Sequence, residues 1–257
     1  MQRVLKAMLL MPEAAPCWLL SGWGWGAGIW QIGKCAEPDW QSASQQRLRC
    51  QVLQLTEATL ELQLQRITAD WTSPVHLVGW SAGGIVALRL AHDFPEKVLS
   101  LSLLACNPCF YTDVHWPGVA QCQGQQLQTG LQQHPVRQMQ AFLRLQCEGE
   151  AQWRHLYSTL KSLPDGLLSA AAYPLAAQLQ WLQSDYRDEL RRVAAASCRK
   201  INVILGAEDQ LVPQALAEYY RALNCHVRVW PATGHLIPWH FTRLWDALLP
   251  SILGMEY

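Results

Sequence analysis

The chemistry in this chain centres on one serine and on what surrounds it. Gly79-Trp80-Ser81-Ala82-Gly83 has the form G-x-S-x-G and is followed by Gly84. It stands between an apolar run, VHLVGW at 75–80, and a segment of helical period, GGIVALRLAHDF at 83–94. A strand-to-helix turn this tight leaves room for little beyond hydrogen at the flanking positions. It lifts the serine hydroxyl above the sheet at the N-terminus of the helix. The backbone N–H of Ala82 then points to where an oxyanion would develop. A bare G-x-S-x-G also fits a simple strand–helix turn. With the third glycine and both flanks in place, Ser81 is the candidate nucleophile.

A serine hydroxyl is a weak nucleophile until a base takes its proton. In the architecture that carries this motif the acid and then the histidine follow the serine in the chain, each on a loop after a strand. Ala207-Glu208-Asp209-Gln210 follows the apolar run INVILG at 201–206, and Pro-Ala-Thr-Gly234-His235 follows HVRVW at 226–230. Asp209 is expected to orient the imidazole, and His235 to act as general base and then general acid. Taken singly, Asp209 reads as the cap of the helix in PQALAEYY, and His235 as a surface or satisfied histidine. Their order and shared sheet edge favour the catalytic reading. Glu208 and His240 are the rivals, with His240 placed as the cap of the last helix. The loop after the first strand, Ser21-Gly22-Trp23-Gly24, offers the N–H of Trp23 as a second oxyanion donor. The Trp23 indole either walls the acyl pocket or simply packs in the core.

These residues need a frame. Short apolar runs predict strands at 17–20 (CWLL), 49–55, 75–80, 98–105, 201–206 and 226–230. Helices are predicted at 60–71, 83–94 and 213–223, and HFTRLWDALLPSIL closes the chain. Strands alternating with helices imply a mostly parallel sheet with helices on both faces. The stretch from about 111 to 190 is rich in Gln, Leu and Ala and reads as helices alone. It is expected to be a cap over the carboxyl edge of the sheet, where such folds bind ligands. The fold class is therefore α/β, with a core of residues 1–110 and 191–257 and a helical cap of residues 111–190.

Length and composition fit one large folded domain or two small ones. The chain has 257 residues, half of them hydrophobic and 16% charged, with 20 Lys+Arg against 20 Asp+Glu. That balance argues against a global basic field for nucleic acid. No apolar run approaches the roughly 20 residues of a membrane span. The nine cysteines are scattered, and the one close pair, Cys106-Asn-Pro-Cys109, lacks the second pair that a zinc site needs. It reads as free thiols in a reducing cytosol, with a redox pair as the lesser reading. No metal and no cofactor is expected. The first residues, MQRVLKAMLLMPEAAPCW, faintly resemble a secretion signal, but Pro12 and Glu13 cut the apolar run short. The expectation is a cytoplasmic, soluble monomer.

At this point LLSGWGWGAGIW, VGWSAGGIVALRLAHDFPEKV, CNPCFYTDVHWPGV, GAEDQLVP and GHLIPWH resemble the pimeloyl-ACP methyl ester carboxylesterases (the BioH family) of the α/β-hydrolases. The elbow, acid and histidine motifs are shared widely in that superfamily. NPCF followed by WPGV, then FLRLQ-x-x-G and LKSLP, is more specific. The resemblance covers most of the chain from about residue 17. It implies an α/β-hydrolase fold and a serine carboxylesterase that removes the methyl ester of pimeloyl-acyl carrier protein in biotin synthesis. It further implies the triad Ser81, Asp209 and His235. Substrate contacts would be Trp23, Ser81, Ala82, His235 and, in the cap, Phe142 to Gln146. Cap arginines would meet the acidic carrier protein. Arg137 and Arg154 match arginines of the family, whereas two others fall on Ala141 and Ser158.

Two departures bear on the pocket. Ser21-Gly22 stands where the family has His-Gly before the Trp. The glycine-rich loop after the second strand is replaced by QLTEATLELQ, which has no glycine. On the cap, Arg137 and Arg144 are seven apart, as are Arg154 and Lys161, so each pair shares a helix face. Such stripes suit phosphopantetheine or the acidic helices of a carrier. An Arg144–Glu148 pair on a solvated face is the plainer reading. Alternatives on the same frame are a broad small-ester or thioester hydrolase and a C–C lyase of the menaquinone pathway. A non-catalytic ligand receptor is a further alternative, opposed by the intact Ser, Asp and His set.

Overall fold

The computed structural model describes residues 15–32, 49–163, 174–196 and 201–252. The signal-like segment before residue 15, Cys35, Cys198 and the proline of LKSLP lie outside these residues. Six parallel strands form one sheet: β1 (Cys17–Leu20), β2 (Cys50–Leu53), β3 (Val75–Trp80), β4 (Val98–Leu104), β5 (Ile201–Gly206) and β6 (His226–Trp230). They lie in the order β2-β1-β3-β4-β5-β6. The first described strand lies inside the sheet, the second steps out to one edge, and the rest return past β1 to build the other. The carboxyl ends of β1 and β3 therefore flank the point where strand order reverses, the usual place for a ligand crevice. Register sets Leu20 beside Gly79 and Gly79 beside Leu103.

The central strands are continuous apolar runs because helices cover both faces. All six residues of β3 and all six of β5 are buried. The helices of the frame are α1 (Ile29–Ile32), α2 (Leu60–Thr68) and α3 (Ala82–Asp93), with α9 (Leu216–Ala222) and α10 (Phe241–Ile252) near the end of the chain. Thr59 caps α2 by accepting from the N–H of Leu62 at 3.3 Å. Helix α3 follows β3 directly and is buried nearly all round. Its core side chains, such as Val86, Leu88 and Leu90, each contribute about 1.5–3 kcal/mol through burial.

Between β4 and β5 run α4 (Gln121–Gln133), α5 (Pro135–Cys147), α6 (Trp153–Lys161), α7 (Leu175–Leu182) and α8 (Arg187–Ala196). Among the described residues this insertion holds only isolated bridges, such as Tyr111–Val119, and no strand. Helix α8 straddles the expected 190/191 boundary and lies against α3, where Arg89 meets Glu189 at 3.7 Å.

Some boundaries moved. The helix expected over 60–71 ends at Thr68, and the Trp71 N–H turns back onto the Thr68 carbonyl. Residues 213–215 form i→i+3 turns before α9 begins. The short α1 was not foreseen, being too brief for a periodic signal. No helix among the described residues is long and apolar enough to cross a membrane. The Cys106 and Cys109 thiols are both buried, and burial pushes Cys106 up to about 12 and raises Cys109 as well, opposite to the lowered thiol that a redox pair uses. Cys106 instead fills the space above Gly84, where a Cβ would come within 2.6 Å of its sulfur.

Candidate active site

Ser81 lies between the end of β3 and the start of α3 with φ 54° and ψ −121°, a backbone region that side chains seldom adopt. The strain is held by its neighbours. The Ser81 N–H donates to the Leu104 carbonyl at 2.8 Å, and the Gly84 N–H to the Ser81 carbonyl at 2.9 Å. The glycines of the motif are needed for space. A Cβ on Gly79 would come 2.4 Å from the Gly83 carbonyl oxygen, and one on Gly83 would come 2.2 Å from that of Leu20.

His235 and Asp209 arrive from the exits of β6 and β5. The Nε2 atom of His235 is 3.0 Å from Ser81 Oγ, and its Nδ1 is 2.8 Å from Asp209 Oδ2. A carboxylate accepts only, so Nδ1 carries the proton and Nε2 is free to accept from the serine hydroxyl. Both side chains are almost fully buried. The other oxygen of Asp209 accepts from the N–H groups of Leu211 at 2.8 Å and Val212 at 3.0 Å. Asp209 thus performs the turn-capping role with one oxygen and orients His235 with the other. Glu208 makes no bond to His235. Its N–H donates to the Thr233 carbonyl at 3.0 Å, which ties the acid and histidine loops together. His240 does open α10, its carbonyl accepting from Leu244, but its ring bonds Glu150 at 3.0 Å.

Above this trio lies a small pocket with a mostly apolar lining. Trp23, Ser81, Ala82 and His235 form its reactive wall. Leu127 of α4, Phe142 of α5, and Leu179 and Leu182 of α7 enter from the cap. Its polar members besides Ser81 and His235 are few, and Asn107 is already spent on Cys109, Trp116 and Pro117. No Lys, Arg, Asp or Glu is among the described lining residues. The Trp23 ring packs edge-on to Phe142 at 5.1 Å, and its buried indole N–H has no partner among the described residues.

Gln146, expected to touch substrate, does not line this pocket. It is buried at the end of α5 and accepts from the Trp25 indole at 3.0 Å. An amide on the inner face of a cap helix that finds a donor on the core is a tie between layers.

The two departures near the pocket have structural substitutes. Ser21 is fully buried, accepts from the Trp30 indole at 3.0 Å and donates to the Gly26 carbonyl at 3.3 Å, which braces the Trp23 loop. After β2, buried Gln63 accepts from the N–H groups of Thr56 and Glu57, and Gln178 of α7 donates to the carbonyls of Leu55 and Glu57. Two buried amides pin the loop that glycines would otherwise shape. Buried polar residues carry no periodic signal, so neither was legible in the sequence.

Of the basic cap residues, Arg137, Arg144, Arg154 and Lys161 are all exposed. Arg144 pairs with Glu148 at 2.8 Å, the plainer of the two readings. Arg144 of α5 and Arg154 of α6 also converge on Trp153, at 5.4 and 4.6 Å from its ring. Lys161 lies 6.0 Å from the Tyr157 ring. No cluster of metal-ligating side chains occurs among the described residues.

The model of the alpha/beta hydrolase family matches residues 16–247. A pimeloyl-[acyl-carrier protein] methyl ester esterase of Edwardsiella ictaluri is 31% identical over 214 residues, covering 80% of this chain and 80% of that protein. One of Nitrosomonas europaea is 33% identical over 196 residues, covering 72% of this chain and 76% of its own length. Among solved structures, a bromoperoxidase from Bacillus anthracis superposes with a TM-score of 0.71 at 16% identity, covering 94% of this chain and 92% of that one. An esterase from Exiguobacterium antarcticum superposes with a TM-score of 0.71 at 18% identity, covering 95% and 92%. At these identities the structures speak for the fold alone: a parallel sheet flanked by helices, with an inserted helical cap.

Proposed function

We propose, from the premise that this chain belongs to the alpha/beta hydrolase family and, within it, to the pimeloyl-[acyl-carrier protein] methyl ester esterases, that this serine esterase hydrolyses the methyl ester of pimeloyl-acyl carrier protein. The products are methanol and pimeloyl-acyl carrier protein, and the step belongs to biotin synthesis. Ser81 Oγ attacks the ester carbonyl while His235 Nε2 takes its proton. Asp209 holds the imidazole and stabilises its cation. The N–H groups of Ala82 and Trp23 receive the negative charge on the carbonyl oxygen. His235 then protonates the departing methoxide, leaving an acyl-enzyme. Water, deprotonated by His235, releases the acid and restores Ser81.

The observation that carries this reading is the uncharged, apolar pocket over the serine. A methyl ester on a run of methylenes is neutral and apolar, so it enters without leaving a charge unpaired. The carboxylate product meets no cation among the described lining residues, so the site favours its release. The carrier is too large to enter. We place its docking on the outer face of the cap, around Arg137, Arg144, Arg154 and Lys161. A small-ester hydrolase is the second reading, favoured by the same apolar lining and by the substituted loop after β2. The test is rescue of a biotin auxotroph that lacks its own methyl ester esterase. Wild-type protein should restore growth and Ser81→Ala should not. Active enzyme that fails to rescue would move the assignment to small esters.

A further inference from the structure

The turn between α5 and α6, far from the sheet in sequence, is built into the base of the active site. Gly149 adopts φ 96°, and a Cβ there would come 2.5 Å from the carbonyl oxygen of Glu208, beside Asp209. Glu150 follows, with its side chain only 6% exposed. One of its oxygens accepts from the backbone N–H of Gly234 at 2.7 Å, and the other lies 3.0 Å from His240 Nε2. Gly234 immediately precedes His235. A carboxylate is the one common side chain that can accept at two oxygens without a proton of its own, so it can hold both donors at once. A buried carboxylate is costly unless so engaged, which gives the contact a use beyond packing.

We propose that Glu150 is a positioning residue for the esterase reaction: from the cap it fixes Gly234, and through that backbone it holds the His235 imidazole in line with Ser81. The inference rests on the reading of His235 as the general base. Its consequence is that the cap does more than wall the pocket, because it is part of the mounting of the base. Placement errors near 1 Å in reacting groups cost about 10²-fold in rate, so loss of this anchor is read in kcat.

The test compares Glu150→Ala and Glu150→Gln in the full-length protein, with p-nitrophenyl butyrate as substrate and a fluorophosphonate as probe of serine activation. Glu150→Ala should lower kcat about 10- to 100-fold with KM within about 2-fold, and slow labelling by the same factor. Glu150→Gln keeps an amide oxygen for Gly234 and turns its NH₂ toward His240, whose ring nitrogen can accept in the other tautomer, so it should retain at least about a third of the wild-type kcat. The low-field proton resonance of the His235–Asp209 bond should broaden in Glu150→Ala and persist in Glu150→Gln. Should Glu150→Ala fail to fold, Glu150→Asp serves instead: one methylene shorter, it cannot span both partners and should show the same kcat loss. A folded Glu150→Ala or Glu150→Asp with near wild-type kcat would overturn the proposal. So would equal losses in Glu150→Ala and Glu150→Gln, or a change confined to KM. Wild-type protein that resists the fluorophosphonate would overturn the His235 reading itself, and that control separates the two failures.

Discussion

The indole nitrogen of Trp80 donates to the backbone carbonyl of His235 at 2.8 Å, joining the residue before the nucleophile to the base 155 positions away. Both residues are buried, and their rings lie 5.6 Å apart. The variable position of the G-x-S-x-G turn is therefore a strut between two loops. With Glu150 on Gly234, it holds the backbone on both sides of His235.

Trp80→Phe keeps an aromatic ring but removes the donor. The His235 carbonyl keeps the Ile237 N–H at 2.9 Å, so the loss is one hydrogen bond, about 0.5–1.5 kcal/mol, and smaller ring volume adds to it. The variant should melt lower and turn over p-nitrophenyl butyrate roughly ten-fold more slowly. Urea unfolding together with steady-state kinetics checks both. Unchanged kcat in a destabilised protein would reduce the strut to packing.

His76 gives a pH signature remote from the active site. It lies on β3 opposite Ser100 of β4, with Nδ1 2.8 Å from the serine oxygen, and burial lowers its pKa from 6.5 to about 4. Between pH 6.5 and 4 the unfolded chain binds a proton that the folded one refuses. The stability from this site is thus fully present above pH 6.5 and is lost as pH falls toward 4. The size is about 2–3 kcal/mol by pH 4.5. Unfolding free energies from urea titrations at pH 7.5 and 4.5 should differ less in His76→Phe than in wild type by that amount. Equal acid losses in the two proteins would place the effect elsewhere.

Charge reversal at Arg137 and Arg154 together should weaken turnover of pimeloyl-ACP methyl ester and spare p-nitrophenyl butyrate. The small ester needs only the pocket, whereas the carrier must dock outside it. Each exposed contact contributes no more than about 1 kcal/mol, so a loss near ten-fold is expected. Rim charges act on encounter and are screened, so the defect should shrink as salt rises. Arg154 also stacks on Trp153, so circular dichroism must show the fold retained. Equal losses on both substrates would mean that these arginines serve structure.

The sheet was legible because buried parallel strands are written as unbroken apolar runs: CWLL, VHLVGW and INVILG all became central strands. The trio was legible for a different reason, since Ser81, Asp209 and His235 each follow such a run, and strand exits share one edge. The residues that hold the trio were not. Glu150, Gln63 and Gln178 are buried polar groups whose partners are backbone atoms of distant loops, and no local pattern announces that. Gln146 was misplaced for the same reason: its position on α5 was right, but its partner is an indole on the core. Among the cap cations, sequence spacing paired residues along one helix, whereas Arg144 and Arg154 meet across two helices at Trp153.

In the proposed function, Ser81 opens the methyl ester of a carrier-bound acyl chain. The direct measurement is mass spectrometry of purified pimeloyl-ACP methyl ester incubated with wild-type protein and with folded Ser81→Ala. Wild type should convert the carrier to a species lighter by one methylene, with one methanol released per carrier. Ser81→Ala should be slower by orders of magnitude. An unchanged carrier with an enzyme that still cleaves p-nitrophenyl butyrate would contradict the substrate, and rapid conversion by Ser81→Ala would contradict the nucleophile.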